Sequence, residues 1–315
     1  MIVYLRRRLW HAAIVFALVN TLTFALVRLA PGLPQIMTGD TLTNADRMQF
    51  RHNLGLDKPI LEQYFLWWSH VLRGDLGTSW TEHTPVLHVL LTRLPNTLIL
   101  AACAMLISSI IGITAGVLSA VYLYSPLDYA VTSVGLFGLA VPSFWLGLML
   151  ILLFSVHWQL LPSAGMYTLG GSAAITDRLT HLILPTLVLA AGTLAQIIRF
   201  TRSSLVDILG EDYIRTARAK GLPERIVLLR HGLRNALIPV ITVLGLQLPR
   251  FIGGSIIVES IFAWPGIGRL AYSAALTRDY PMIMGVTILI SVVVLGANLV
   301  TDIAYTVVDP RIRFE

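Results

Sequence analysis

Long apolar runs almost free of charge limit what this chain can fold into more than any other feature. They cover Leu9–Ala30, Asn96–Leu123, Tyr129–Val156, His181–Phe200, Ala236–Ile261 and Met282–Val308. A helix needs about 20 apolar residues to cross a hydrocarbon core about 30 Å thick, because each residue rises about 1.5 Å. All six runs meet that length. In lipid the backbone polar groups must be satisfied within the segment, and a helix does this. The expectation is therefore an all-α integral membrane protein with about six transmembrane helices. Composition agrees, with 56% hydrophobic and 13% charged residues, where a soluble domain carries about 25% charge.

The formal net charge of +6 does not point to nucleic acid. The basic residues flank the apolar runs, as orientation signals do, and no zinc-finger or RNP-like pattern is present. Arg6, Arg7 and Arg8, the basic residues from Arg199 to Arg234, and Arg311 and Arg313 all fall on one side. The short loops on the other side hold only Arg178, Arg269 and Arg278. The rule that places positive loops inside puts both termini in the cytoplasm. The first apolar run exceeds the 7–15 residues of a signal-peptide core, so it reads as a retained helix. Cys103 lies inside an apolar run and reads as a packing residue.

Two connections carry the remaining information. The outer segment Pro31–Pro95 interleaves Leu61, Tyr64, Phe65, Trp67 and Trp68 with Asp57, Lys58, Glu62 and Gln63. Aromatic residues favour the membrane–water boundary, so short amphipathic helices are expected in this loop. The chain thus divides into residues 1–95, the first helix plus the outer segment, and residues 96–315, a five-helix core containing the inner loop 201–235. In that loop Gly210 and the acidic pair Glu211-Asp212 suit a helix start. Arg215, Arg218 and Lys220 follow towards the C-terminal end, and Gly221 and Pro223 stop it. Tyr213, Ala217 and Gly221 recur at four-residue spacing and share a face that is small enough for close approach by another protein. A solvated basic loop that only fixes topology and attracts anionic lipid fits the same spacing.

The stretch RTARAKG, Arg215–Gly221, followed by LRHGLRNALIPV, resembles the EAA loop of ATP-binding-cassette (ABC) importer permeases, in the form of the dipeptide, oligopeptide and nickel branch. Ala217 and Gly221 match the motif, while Arg215 and Thr216 stand where the general motif has Glu and Ala. The segments RLAPGLP, LGLDKPILEQYFLW, GDLGTSW, RLPNTL, ESIFAWPGIGRL, RDYP and DPRIR also resemble that branch, so the likeness spans nearly the whole chain. It implies the type I ABC importer permease fold in a bacterial or archaeal plasma (inner) membrane. It also implies a coupling helix of Glu211, Asp212, Tyr213, Arg215, Thr216, Ala217, Arg218, Lys220 and Gly221 that docks on an ATPase subunit. The implied partners are a second homologous permease, two ATPase subunits, an extracytoplasmic substrate-binding protein and membrane lipid, with no nucleic acid. ATP and Mg would sit on the partners, and this chain would bind no cofactor. The implied cargo is a dipeptide or oligopeptide, with nickel or glutathione as alternatives on the same architecture.

The residues themselves bear on catalysis. No G-x-x-x-x-G-K-[ST] phosphate loop occurs, nor any HExxH, CxxC or GxSxG pattern, so no catalytic residue is assigned and a pump built from this chain borrows its motor. A self-sufficient secondary transporter would need an ion relay, for which the intramembrane carboxylates are few and peripheral. His83 and His88 are five apart, a poor helical metal pair, so no metal ligand is assigned. Arg250 falls mid-span beside Pro249, where a charge is costly and usually faces a cavity. It is the candidate to line the substrate path and meet a carboxylate, the alternative being contact with a partner subunit or water. Glu259 is expected at the outer boundary, Asn298 and Asp302 on one face of the last span, and Arg28 to reach outward from the first. Gly112, Gly116, Gly135, Gly138 and Gly253-Gly254 suit close helix approach, and Pro142, Pro185, Pro239 and Pro249 are candidate kinks.

Overall fold

The computed structural model describes residues 2–30, 34, 43, 45, 48–49, 52, 55–168, 170 and 174–308. Arg47, Arg51, the DPRIR segment and most of RLAPGLP beyond Ala30 lie outside the described residues. The helices are α1 (Ile2–Leu29), α2 (Ile60–Val71), α3 (Val86–Val121), α4 (Pro126–Ala140) and α5 (Ser143–Leu150), the last extended by a π-helical stretch, Ile151–His157. After them come α6 (Ile175–Leu209), α7 (Asp212–Ala219), a second π-helical stretch at Val227–Leu233, α8 (Arg234–Ile261), α9 (Ile267–Thr277) and α10 (Tyr280–Val308).

Among the described residues, five helices are long and apolar enough to cross a membrane, and a bent pair makes up to six. That pair is the run expected as one span from Tyr129 to Val156. It breaks between α4 and α5, whose axes differ by 106°. The cause is local. Pro142 disfavours the helical region for the residue before it, and Val141 is accordingly extended at φ −78°, ψ 126°. The other three candidate kinks, Pro185, Pro239 and Pro249, remain inside continuous helices.

Contacts divide the chain into two compact units, Met1–Thr97 with Pro265–Leu295, and Leu98–Trp264 with Gly296–Glu315. Residues 265–295 join the N-terminal unit. They do so because Ile267, Leu270 and Ala274 of α9 and Met282 and Val286 of α10 share an apolar cluster with Val86, Val89 and Leu90 of α3. In the same unit α2 is an amphipathic helix of the outer segment. Its Tyr64 and Trp67 rings lie 5.3 and 5.7 Å from Phe24 of α1. Asp279, in the RDYP segment, is buried and accepts hydrogen bonds from Ser79 Oγ (2.6 Å), the Thr81 amide (3.1 Å) and the Met282 amide (3.2 Å). Arg28 lies in the last turn of α1. Its guanidinium lies over the rings of Phe24 and Tyr280, where cation–π attraction holds it.

The second unit is built around α6, whose buried residues run from His181 to Leu205. Gly112 and Gly116 of α3 and Gly135 and Gly138 of α4 all face it. A Cβ at Gly116 would stand 2.9 Å from the Ile198 carbonyl oxygen, and one at Gly138 would stand 3.2 Å from that of Ala191. These glycines therefore set helix separation, as expected. Gly253 has nothing within 4 Å of its Cβ position and plays no such part within this chain. Glu259, expected at a boundary, is fully buried at the end of α8, where its carbonyl accepts from the Trp264 amide at 2.8 Å. The last span reaches α8 through Thr301, whose hydroxyl donates to the Gly245 carbonyl at 3.1 Å.

Gly116→Val should force α3 away from backbone atoms that cannot yield. A loss of about 1–3 kcal/mol is expected, read as a lower melting midpoint in detergent, whereas Gly253→Ala should leave that midpoint unchanged.

Candidate functional site

Two features of the second unit stand out, a short polar helix after α6 and a cavity among α4, α6 and α8. An ion pair links α4 and α6 ahead of that helix. Ser125 caps α4, accepting from the Asp128 amide at 3.3 Å, with Pro126 as the first helical residue. This start carries Asp128 inward, where it is 1% exposed. Arg202 of α6 donates to both its oxygens, Nε to Oδ1 at 2.7 Å and Nη2 to Oδ2 at 2.8 Å. Ser119 Oγ of α3 donates to Oδ1, and the Tyr124 amide donates to Oδ2 at 2.9 Å. A buried carboxylate is tolerable when its lone pairs are filled in this way.

Below this pair the chain turns into α7. Glu211 precedes the helix, Asp212 sits in its first turn and Arg218 in its last, an order that suits the helix dipole. Gly221, at φ +75°, ends it. Its amide donates to the Arg218 carbonyl at 2.9 Å and the Leu222 amide to that of Ala217 at 3.4 Å, the hydrogen-bond pattern of a Schellman cap. Arg218 is bound on both prongs by Glu224, at 2.7 and 3.2 Å, which raises the guanidinium above its ordinary pKa.

The orientation of α7 differs from the sequence reading. Ala217 is buried with Ile214 and Val227, packed by Ile208 and Leu209 of α6, so it does not offer a small face to another protein. Tyr213 is tied to its own chain as well, accepting from Asn235 Nδ2 at 3.0 Å. Three-residue spacing of Ile214 and Ala217 explains this, because the apolar stripe must cover the end of α6. The surface turned outward carries Asp212, Arg215, Thr216, Ala219 and Lys220, all exposed. Arg215 reaches Asp212 at 3.3 Å, an exposed pair of little energetic weight.

The cavity has a volume of about 540 Å³ and includes Thr132, Leu136, Gln196, Arg199, Ser203 and Arg250 in its lining. Arg250 is exposed on its wall, and among the described residues it makes no ion pair. Gln196 accepts from Gln247 Nε2. Besides Arg202, which is paired with Asp128, the wall thus presents two guanidinium groups, Arg199 and Arg250, and a polar amide, a set suited to an anion with hydrogen-bonding groups beside it. Among the described residues no three His, Cys, Asp or Glu side chains gather as metal ligands.

Sequence reasoning missed Asp128. The apolar run begins at Tyr129, one residue later, and Arg202 reads as an orientation charge. The available signal was the S-x-x-D cap at Ser125–Asp128, a lone acid against a basic surface.

The family described as binding-protein-dependent transport system inner membrane component matches residues 112–314, and its N-terminal counterpart matches residues 1–101. The chain is 46% identical to the oligopeptide transport system permease protein AppB of Bacillus subtilis, over 100% of both chains. It is 42% identical to the dipeptide transport system permease protein DppB of Escherichia coli, over 99% of each. It is 40% identical to the glutathione transport system permease protein GsiC of Pectobacterium atrosepticum, over 100% of both. Among solved structures, an inward-facing MetNI methionine ABC transporter chain superposes with a TM-score of 0.55 at 18% identity, covering 71% of this chain and 97% of that one. At that identity the likeness concerns the fold.

Asp128→Asn or Arg202→Gln leaves one member of the pair without its charged partner. Each should cost about 3 kcal/mol, the low end for a broken buried pair because 28% of the Arg202 side chain is exposed. A double-mutant cycle on the melting midpoint checks that the two losses are not additive.

Proposed function

We propose that this chain, which belongs to the inner membrane components of binding-protein-dependent transport systems, forms half of the translocation path of an ATP-driven peptide importer. A second homologous permease supplies the other half, two ATPase subunits carry ATP and Mg, and an extracytoplasmic protein delivers the substrate. The observation that carries this reading is α7. Its apolar stripe is sealed against α6, while Asp212, Arg215, Thr216 and Lys220 stay exposed. This is the form of a helix fixed on one side and open to a partner on the other. The peptide substrate rests on likeness to relatives named for oligopeptide and dipeptide transport.

The mechanism follows from the links between these parts. The segment 201–235 lies in the cytoplasm, where positive-inside placement puts it. Closure of the ATPase pair displaces α7, and the Ile214–Ala217 contact passes that movement to α6. The Asp128–Arg202 bridge carries α4 and the end of α3 with it, so the cavity opens alternately to the two sides. ATP contributes through its different contacts with the two states, which is all a ligand can use to shift such an equilibrium. Arg250 and Arg199 attract the peptide carboxylate in the cavity without burying it, so that release remains possible.

Reconstituted with its partners in liposomes, the wild-type importer should accumulate peptide only with internal ATP. Arg215→Glu with Lys220→Glu should lower uptake about tenfold or more, the equivalent of about 1.4 kcal/mol in coupling, without lowering the melting midpoint of the chain. Arg250→Gln should raise the KM for peptides several-fold and leave peptide-stimulated ATPase turnover at saturation intact. Equal loss of uptake and ATPase activity would remove the substrate role of Arg250.

A further inference from the structure

We propose that the first unit contains a second binding site, a cavity beside Arg28 that takes the free carboxylate of a peptide. This deepens the proposed function and rests on its peptide substrate. Three segments singled out in the sequence meet at the cavity: Arg28 from RLAPGLP, Asp75 to Trp80 from GDLGTSW, and Tyr280 and Pro281 from RDYP. Its volume is about 610 Å³, within the usual range for small-molecule sites. Phe24, Trp67, Trp80 and Tyr280 supply aromatic wall, and the rings of Trp80 and Tyr280 lie 5.0 Å apart.

Arg28 and Asp75 are the charged groups of this lining, and Arg28 is the one that draws an anion. The Arg28 guanidinium lies 5.4 and 5.3 Å from the ring centroids of Phe24 and Tyr280. Its Nη1 is closed off from solvent and has no hydrogen-bond partner among the described residues. The neighbouring carboxylates are committed elsewhere. Asp75 accepts from the Gly77 amide at 2.8 Å and faces His70 Nδ1 at 3.2 Å. Asp279 is filled by Ser79, Thr81 and Met282. The Arg28 guanidinium lines the cavity, and such a group matches a carboxylate in shape and charge. The aromatic wall suits an apolar side chain next to that carboxylate. The turn that carries Trp80 is fixed, since the Val86 amide donates to Gly77 and the Ser79 amide to Thr84. The site is therefore built before a ligand arrives.

Tryptophan fluorescence of the purified full-length chain in detergent, titrated with Ala-Phe and with Ala-Phe amide, tests the site. The acid should bind at least about tenfold more tightly than the amide, the discrimination expected of one charged hydrogen-bonded pair. Arg28→Gln should abolish that preference, and Arg28→Lys should keep part of it. Equal binding of acid and amide by the wild-type chain would overturn the proposal, and that comparison requires no variant to fold. An Arg28→Gln variant that melts as the wild type does and still prefers the acid would overturn it too. The assay contains neither ATP nor partner subunits. A preference for the acid in a chain whose assembled importer moves no peptide would leave this site standing and remove the transport reading. Peptide uptake by an importer whose chain shows no preference would do the reverse.

Discussion

A carboxylate held out of water beside a guanidinium survives only if its oxygens are filled, and the arrangement of the second unit depends on that condition being met at Asp128. Five donors from four places in the chain converge there: Ser119 at the end of α3, the Tyr124 amide in the turn, Thr132 one turn along α4, and Arg202 with two nitrogens from α6. Removing any one would expose a buried charge to an apolar surround. The network therefore favours a single relative placement of three helix ends. It sits seven residues before the end of α6, directly ahead of α7, so a force on α7 meets a stiff joint rather than a loose loop.

Close packing complements this joint. Gly112, Gly116, Gly135 and Gly138 let α3 and α4 approach α6 until backbone and side chains touch. Helix association in lipid relies on such fits because apolar surface gains little by leaving lipid for protein. The same closeness transmits displacement, since packed interfaces shift between discrete arrangements instead of deforming smoothly. The break at Pro142 adds an abrupt change of direction in a helical run, and it follows α4, the helix that the ion pair anchors. Coupling in this account is thus a chain of short contacts from α7 to the cavity wall.

Much of this was legible in the sequence, for reasons that also mark where reading stopped. Apolar runs reveal spans because lipid demands them, yet a hydropathy window averages across Val141-Pro142 and hides the bend there. The limits of α7 were legible, since Gly210, Glu211 and Gly221 act through local backbone preference. Its orientation was not. Ala217 at four-residue spacing from Tyr213 fits a partner-facing surface and an inward-facing one equally, and burial beside Ile214 decides between them. Arg28 reads as a boundary residue from its place near the end of an apolar run. Its surroundings include a long-range partner, with Tyr280 supplied from far along the chain. Asp128 escaped notice because its partner, Arg202, is 74 residues away.

The central claim is that an ATPase subunit acts on this chain through the exposed face of α7. Disulfide cross-linking tests it most directly, with Thr216→Cys in a chain whose Cys103 is replaced by Ser and a series of cysteines along the cleft of the ATPase subunit. The account predicts a cross-link whose yield changes when ATP is bound, and inhibition of uptake while the bond is intact. Absence of any cross-link in an assembled complex that still transports peptide would contradict it.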